Sequence, residues 1–163
     1  MASTDIFERL KKDHDKHRRL IAAIEGTVGE SDERKALFDE YKTDATAHAA
    51  TEELTLYAAL MGEVEMRVFA QHSAADHHKI EKLFDALAKA DMSSSGWLNQ
   101  FASLKKEYLE HLQEEEETIF PRALKDLGKE RAVELRDEFN RQKPEEIERV
   151  ESGADEKLNK LLD

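Results

Sequence analysis

Apolar residues recur along most of the chain at steps of three and four, the spacing that lines one face of an α-helix. Phe7, Leu10, Ile21 and Ile24 mark a first stretch, Phe38, Tyr41 and Ala45 a second, Ile80, Phe84 and Leu87 a third, and Phe101, Leu104 and Tyr108 a fourth. Turn and capping signals separate them. "STD" can cap the first helix, "GTVGESD" divides it from a second that runs to about "LMGE", and the third ends at "KADMSSSG". "SSSGW" opens a fourth helix that reaches "PRALKDLG". Pro121 is expected to kink that helix or mark its weakening end, because proline removes one backbone donor. From about Lys129 the pattern reads as one or two further helices broken at "QKP". Ile147, Val150, Ala154, Leu158 and Leu161 keep helical spacing there, predicting a narrow stripe laid on the bundle or on a second subunit. The expected fold is all-α: an up-down-up-down four-helix bundle over residues 1–127 with a helical C-terminal extension over 128–163.

Polar residues interrupt these stripes at regular intervals. His14 and His77, His48 and His111, and Glu52 and Glu115 each stand 63 positions apart. The flanks repeat as well: "DHDKHRRLIAAI" aligns with "DHHKIEKLFDAL" and "HAATEELTLY" with "HLQEEEETIF", pairing Asp13 with Asp76 and Tyr57 with Phe120. Two helix pairs of one design therefore follow in tandem. Packed about an approximate two-fold axis, they bring equivalent residues together, so each of four helices delivers one histidine to the interior. Two of the four add a glutamate one turn further on.

An unpartnered buried carboxylate is costly, or else shifts its pKa until it is neutral. A metal resolves that cost. Four imidazoles and two carboxylates suit a pair of first-row ions, with either glutamate able to bridge. The chain has no cysteine, so only nitrogen and oxygen donors are available. Its 25 basic residues against 37 acidic ones give a net charge of −12, which disfavours nucleic acid and anionic membranes as partners. At 163 residues the chain is about one domain long. It carries no signal-like segment and no apolar run of membrane-spanning length, so a cytoplasmic location is the expectation.

Some polar residues on or near the stripes have plainer readings. His17 lies on the interior face, but its repeat partner is Ile80, so lining the pocket or a supporting hydrogen bond suits it better than ligation. His72 and His78 are expected at the surface. Asp13 and Asp76 can orient neighbouring imidazoles or simply be solvated, and Tyr41 and Tyr108 are core residues that can reach a bound ligand. Of the run "EEEE", Glu114, Glu116 and Glu117 are read as solvated, since consecutive residues sweep around a helix.

The motifs "DH" at 13–14, "HAATEE" at 48–53 followed by "LY", "DH" at 76–77 and "HLQEE" at 111–115 followed by "IFP" resemble the hemerythrin-like family, in its HHE cation-binding branch. The resemblance covers roughly residues 5 to 127. It implies a four-helix bundle around two non-haem iron ions with a bridging oxo or hydroxo group, zinc or manganese being alternatives. Such a centre is open to a small ligand such as dioxygen, peroxide or nitric oxide. Carried over singly, His14, His48, Glu52, His77, His111 and Glu115 would be the ligands. Hemerythrins that carry oxygen reversibly have a fifth histidine four residues before the one equivalent to His77. Here that place is Ser73, with a histidine at 72 instead, which argues against reversible oxygen carriage. Their final carboxylate also lies one residue further along. Glu116 offers that spacing, but Glu115 is preferred because it repeats Glu52.

The functional reading is a metal-binding protein that binds such a ligand for sensing, storage or detoxification. One alternative is a peroxidase- or catalase-like di-iron enzyme. Another is a helical interaction module with a structural metal, in which the C-terminal extension would make a homodimer.

Overall fold

The computed structural model describes residues 4–153 and 161–162, and among these it is helical with no strand. Helix α1 spans Ile6–Glu25 and starts where the Asp5 side chain accepts from the Glu8 backbone N–H at 3.0 Å, satisfying one of the orphan donors of the first turn. Ser31 caps α2 in the same way, accepting from Arg34. Helix α2 spans Asp32–Glu52 and continues through a π-helical turn, Glu53–Tyr57, to a last turn at Ala58–Met61. A 3₁₀ turn at Val64–Met66 leads into α3, Arg67–Lys89. Helix α4 spans Trp97–Glu114, passes through a second π-helical turn at Glu115–Ile119 and ends at Phe120–Leu127.

The two π turns fall at matching places, directly after Glu52 and at Glu115 itself. Single π turns inside α-helices re-aim side chains and are frequent at functional sites. The second also shapes the chain around Pro121. The helix runs on past that proline to Leu127, because Pro121 sits where the regular hydrogen-bond ladder is already interrupted. Gly128 then turns the chain with φ of +83°, a conformation that side chains with a Cβ rarely adopt.

Helix α5 spans Lys129–Ser152 without a break, so the expected interruption at "QKP" does not occur and Pro144 lies inside the helix. Burial on both sides of the proline accounts for this: Leu135, Phe139, Lys143 and Glu146 step by four, four and three along the face that packs against α1 and α2. That contact offsets the lost backbone bond. The predicted stripe is accordingly not the packing face. Ile147 and Val150 are only half-buried and Leu161 is exposed, while Ala154 and Leu158 lie outside the described residues.

The apolar interior has two parts. One gathers Ile6, Phe7, Leu10, Leu60, Phe120 and Phe139 among others, and the second gathers Ile24, Phe38, Phe84, Trp97 and Phe101 with their neighbours. The repeated histidines and glutamates named above belong to neither group; His14, His48, Glu52, His111 and Glu115 are buried and His77 is partly buried. No helix among the described residues is long and apolar enough to cross a membrane.

Candidate metal centre

The structure brings His14, His48, Glu52, His77, His111 and Glu115 together. Potential ligand atoms of Glu52, His77, His111 and Glu115 lie within 4.8 Å of one another, and so do those of His14, His48 and Glu52. Glu52 belongs to both groups. Glu115 also spans them, since its Oε1 is 3.2 Å from His111 Nε2 and 3.4 Å from His14 Nε2. The helical i, i+4 spacing sets His48 Nε2 at 3.4 Å from Glu52 Oε2, as it sets His111 beside Glu115.

Each imidazole is oriented from behind by a carboxylate. His14 Nδ1 donates to Glu116 at 2.7 Å, His48 Nδ1 to Asp13 at 2.8 Å, His77 Nδ1 to Glu53 at 3.2 Å and His111 Nδ1 to Asp76 at 3.2 Å. An ionised carboxylate only accepts, so each Nδ1 carries a proton and each Nε2 is the ring nitrogen turned inward. The arrangement obeys the repeat: Glu53 matches Glu116 and Asp13 matches Asp76, each bracing a histidine of the opposite helix. Glu116, expected to be solvated, is instead held by His14 and by Arg18 at 2.8 Å. Burial alone would raise its carboxyl, but those two partners hold it below the ordinary glutamate value.

Inward-facing nitrogens and carboxylate oxygens without partners fit a cation site. His77 Nε2 and His111 Nε2 stand 3.1 Å apart, a repulsive approach unless a proton or a cation lies between them. His14 Nε2, His48 Nε2, both oxygens of Glu52 and Oε1 of Glu115 are buried and have no hydrogen-bond partner. Buried polar atoms are nearly always paired, so five such atoms within the two adjoining clusters fit a cation-binding donor set. The crowded carboxylates also favour positive charge on the imidazoles. Burial works against a charged imidazole at His48, yet the hydrogen bond to Asp13 and the nearby Glu52 carboxylate raise it to about 9. His111 is likewise raised against its burial, chiefly by the charge of Glu115. His77 is raised against its burial by the facing carboxylates of Glu52 and Glu53.

Other polar residues are placed plainly. His17 donates from Nε2 to Asp44 at 2.6 Å and accepts from the Tyr108 hydroxyl at Nδ1, 2.5 Å away. Both nitrogens are therefore committed, and burial pushes the imidazole down to about 4, which keeps it neutral and able to accept. Tyr41 is buried with no partner for its hydroxyl. His78 is exposed. His72 is also largely exposed and lies near Asp76 and Glu114, so it repeats the place of Arg9, which pairs with Asp13 at 2.6 Å. Tyr57 donates to Glu115 Oε2 at 2.6 Å, a contact its repeat partner Phe120 cannot make. Lys143 of α5 reaches Asp13 at 2.9 Å and Asp44 at 3.1 Å. The repeat alone contains a signal for Glu53 and Glu116, which align at 63 positions. Nothing in the local pattern marks Lys143.

A pocket of about 310 Å³ opens beside the centre, lined by His77, His111, His48, Tyr108 and the small residues Ala45 and Ala49. It gives a small molecule a way to the His77 and His111 side.

The model of the hemerythrin HHE cation-binding domain matches residues 5–123 of this chain. A crystal structure of a hemerythrin HHE cation-binding domain-containing protein from Mycobacterium kansasii superposes with a TM-score of 0.80, at 23% identity, over 92% of this chain and 91% of that one. At that identity the likeness speaks for the fold. No protein of curated function matches the chain.

Proposed function

The chain belongs to the hemerythrin HHE cation-binding family, and on that premise we propose that it holds two iron ions through His14, His48, Glu52, His77, His111 and Glu115 and binds a small oxygen- or nitrogen-containing ligand beside them. The observation that carries this reading is the sharing of Glu52 between two clusters of inward-facing donors. A single ion would leave one cluster's lone pairs unpartnered. Nitrogen and carboxylate oxygen together suit iron, with zinc and manganese as competitors that cellular supply must exclude. When bound, such ions supply Lewis acidity and one-electron redox chemistry to a ligand.

The chain's own residues supply the rest. Asp13, Glu53, Asp76 and Glu116 orient the four imidazoles through Nδ1, so each Nε2 already faces the place a cation would take. Tyr57 orients Glu115 by hydrogen bonding to Oε2, which leaves Oε1 facing inward. The pocket, lined by alanines and histidines with no lysine or arginine, has room for dioxygen, peroxide or nitric oxide. Binding for sensing, storage or detoxification is the function this supports best.

Turnover of peroxide is the second reading, favoured by one feature. Tyr108 lines the pocket while its hydroxyl is held by the buried His17, which places a hydrogen-bonding group at the ligand's approach. Elemental analysis of protein purified without chelator or affinity metal tests the first reading. About two irons per chain with near-ultraviolet absorption bands is the expected result, and a folded protein that takes up no ferrous iron under anaerobic conditions would overturn it. Catalytic loss of hydrogen peroxide by the iron-loaded protein, rather than a stoichiometric reaction, would select the enzyme.

A further inference from the structure

Lys143 lies on α5, beyond the segment matched by the family model, yet it is buried within the group of side chains that braces the centre. Its ammonium stands 2.9 Å from Asp13 Oδ2, the same oxygen that accepts from His48 Nδ1 at 2.8 Å. It stands 3.1 Å from Asp44 Oδ1, whose other oxygen holds His17. Two buried carboxylates this near one another need a counter-charge between them, and a buried lysine needs both of them. The cation is thus locked in place rather than free to follow solvent. Across the repeat, Asp76 braces His111 as Asp13 braces His48, but its other neighbour is the half-exposed His72, and no lysine or arginine pairs with it among the described residues.

We propose that Lys143 is a positioning residue for the metal centre: through Asp13 it limits how strongly the carboxylate draws on the His48 Nδ1 proton, and so sets how much electron density His48 gives to a bound cation. The inference rests on the two-ion reading above. A carboxylate that accepts from an ammonium is a weaker acceptor toward a second donor, so His48 keeps more neutral imidazole character. Removing the ammonium frees Asp13 to pull harder, makes His48 a stronger donor and favours the ferric form of a bound ion. The loss of a nearby positive charge acts in the same direction.

The test compares the wild-type chain with Lys143→Met, Asp13→Asn and the double variant, each loaded with iron and titrated by spectroelectrochemistry. Lys143→Met shifts the reduction potential downward. In the Asp13→Asn background the same substitution shifts it less, because only the through-space effect of the lost charge remains. A potential unchanged by Lys143→Met, or a shift that persists undiminished without Asp13, overturns the proposal. Should Lys143→Met fail to fold, Lys143→Gln decides on the same criterion. Nuclear magnetic resonance of the metal-free protein supplies an independent reading: the His48 Nδ1 proton moves downfield when Lys143 is replaced, and a resonance that stays in place counts against the link. A wild-type protein that holds no pair of irons would defeat the functional reading itself, while the His48 resonance would still report on Lys143.

Discussion

The His14 and His48 side of the centre and the His77 and His111 side are built on one plan and finished differently. On both sides each imidazole is braced by a carboxylate at positions that the repeat relates. Around the first pair, permanent cations answer those carboxylates: Arg9 and Lys143 at Asp13, and Arg18 at Glu116. Phe139 of α5 covers His48, with ring centroids 6.0 Å apart. Around the second pair no lysine or arginine meets Glu53 or Asp76 among the described residues, and the pocket reaches His77 and His111. The repeat directs the donors, and α5, outside the repeat, adds an aromatic cover and a buried cation to the His48 side alone.

Removing the cover should have the largest effect on this contrast. Phe139 is fully buried, so Phe139→Ala is expected to cost about 3–5 kcal/mol of stability, read as a fall in thermal midpoint. It should also open the closed side, giving an exogenous ligand such as azide a second spectroscopic mode of binding to the iron-loaded protein. A variant that melts like wild type would mean that α5 does not seal this side.

Glu52→Ala acts on both sides together, because its carboxylate is common to both clusters. Loss of a direct ligand should exceed the roughly 10–100-fold drop in metal affinity expected for a supporting residue. Metal content should therefore fall below one ion per chain, and two retained ions would remove Glu52 from the shared position.

His77→Ala separates the sides. It should lower metal content and weaken the fold, because cation binding and folding are coupled, and it should spare the ion next to His14 and His48. Elemental analysis giving unchanged stoichiometry would take His77 out of the ligand set.

The smallest expected effect is on pH dependence. His48 is raised to about 9 in the metal-free protein, above its ordinary 6.5, so its contribution to stability is fully present below 6.5 and is lost as pH rises through about 9. A cation must displace that proton. Affinity for cobalt(II), measured by calorimetry, is therefore expected to rise with pH across the same window and then level off, with proton release visible as a dependence on the buffer's ionisation enthalpy. Affinity that does not change with pH would show that the Nε2 atoms are already free of protons.

Much of this molecule is legible in one sequence because it repeats itself. The spacing of 63 between His14 and His77, or Glu52 and Glu115, names the donors, and helical periodicity then puts them on interior faces. Less visible is what the repeat does not carry. Pro144 suggested a break that tertiary contact overrides, since Phe139 and Lys143 before the proline and Glu146 after it lie on one buried face. The packing face of α5 mixes Lys143 and Glu146 with Leu135 and Phe139, so a search for apolar residues alone selects Ile147 and Val150 instead. Glu116 looked solvated because four consecutive glutamates point everywhere around a helix, and only the opposing helix shows that His14 and Arg18 claim it. Local spacing carries donors well, and it carries partners poorly.

The most direct test of the central claim is anomalous X-ray diffraction at the iron edge from crystals of the iron-loaded protein. Two peaks flanking the Glu52 carboxylate, one near His14 and His48 and the other near His77 and His111, are the predicted result. A single peak, or iron bound away from these side chains, would contradict the account of a shared two-ion centre.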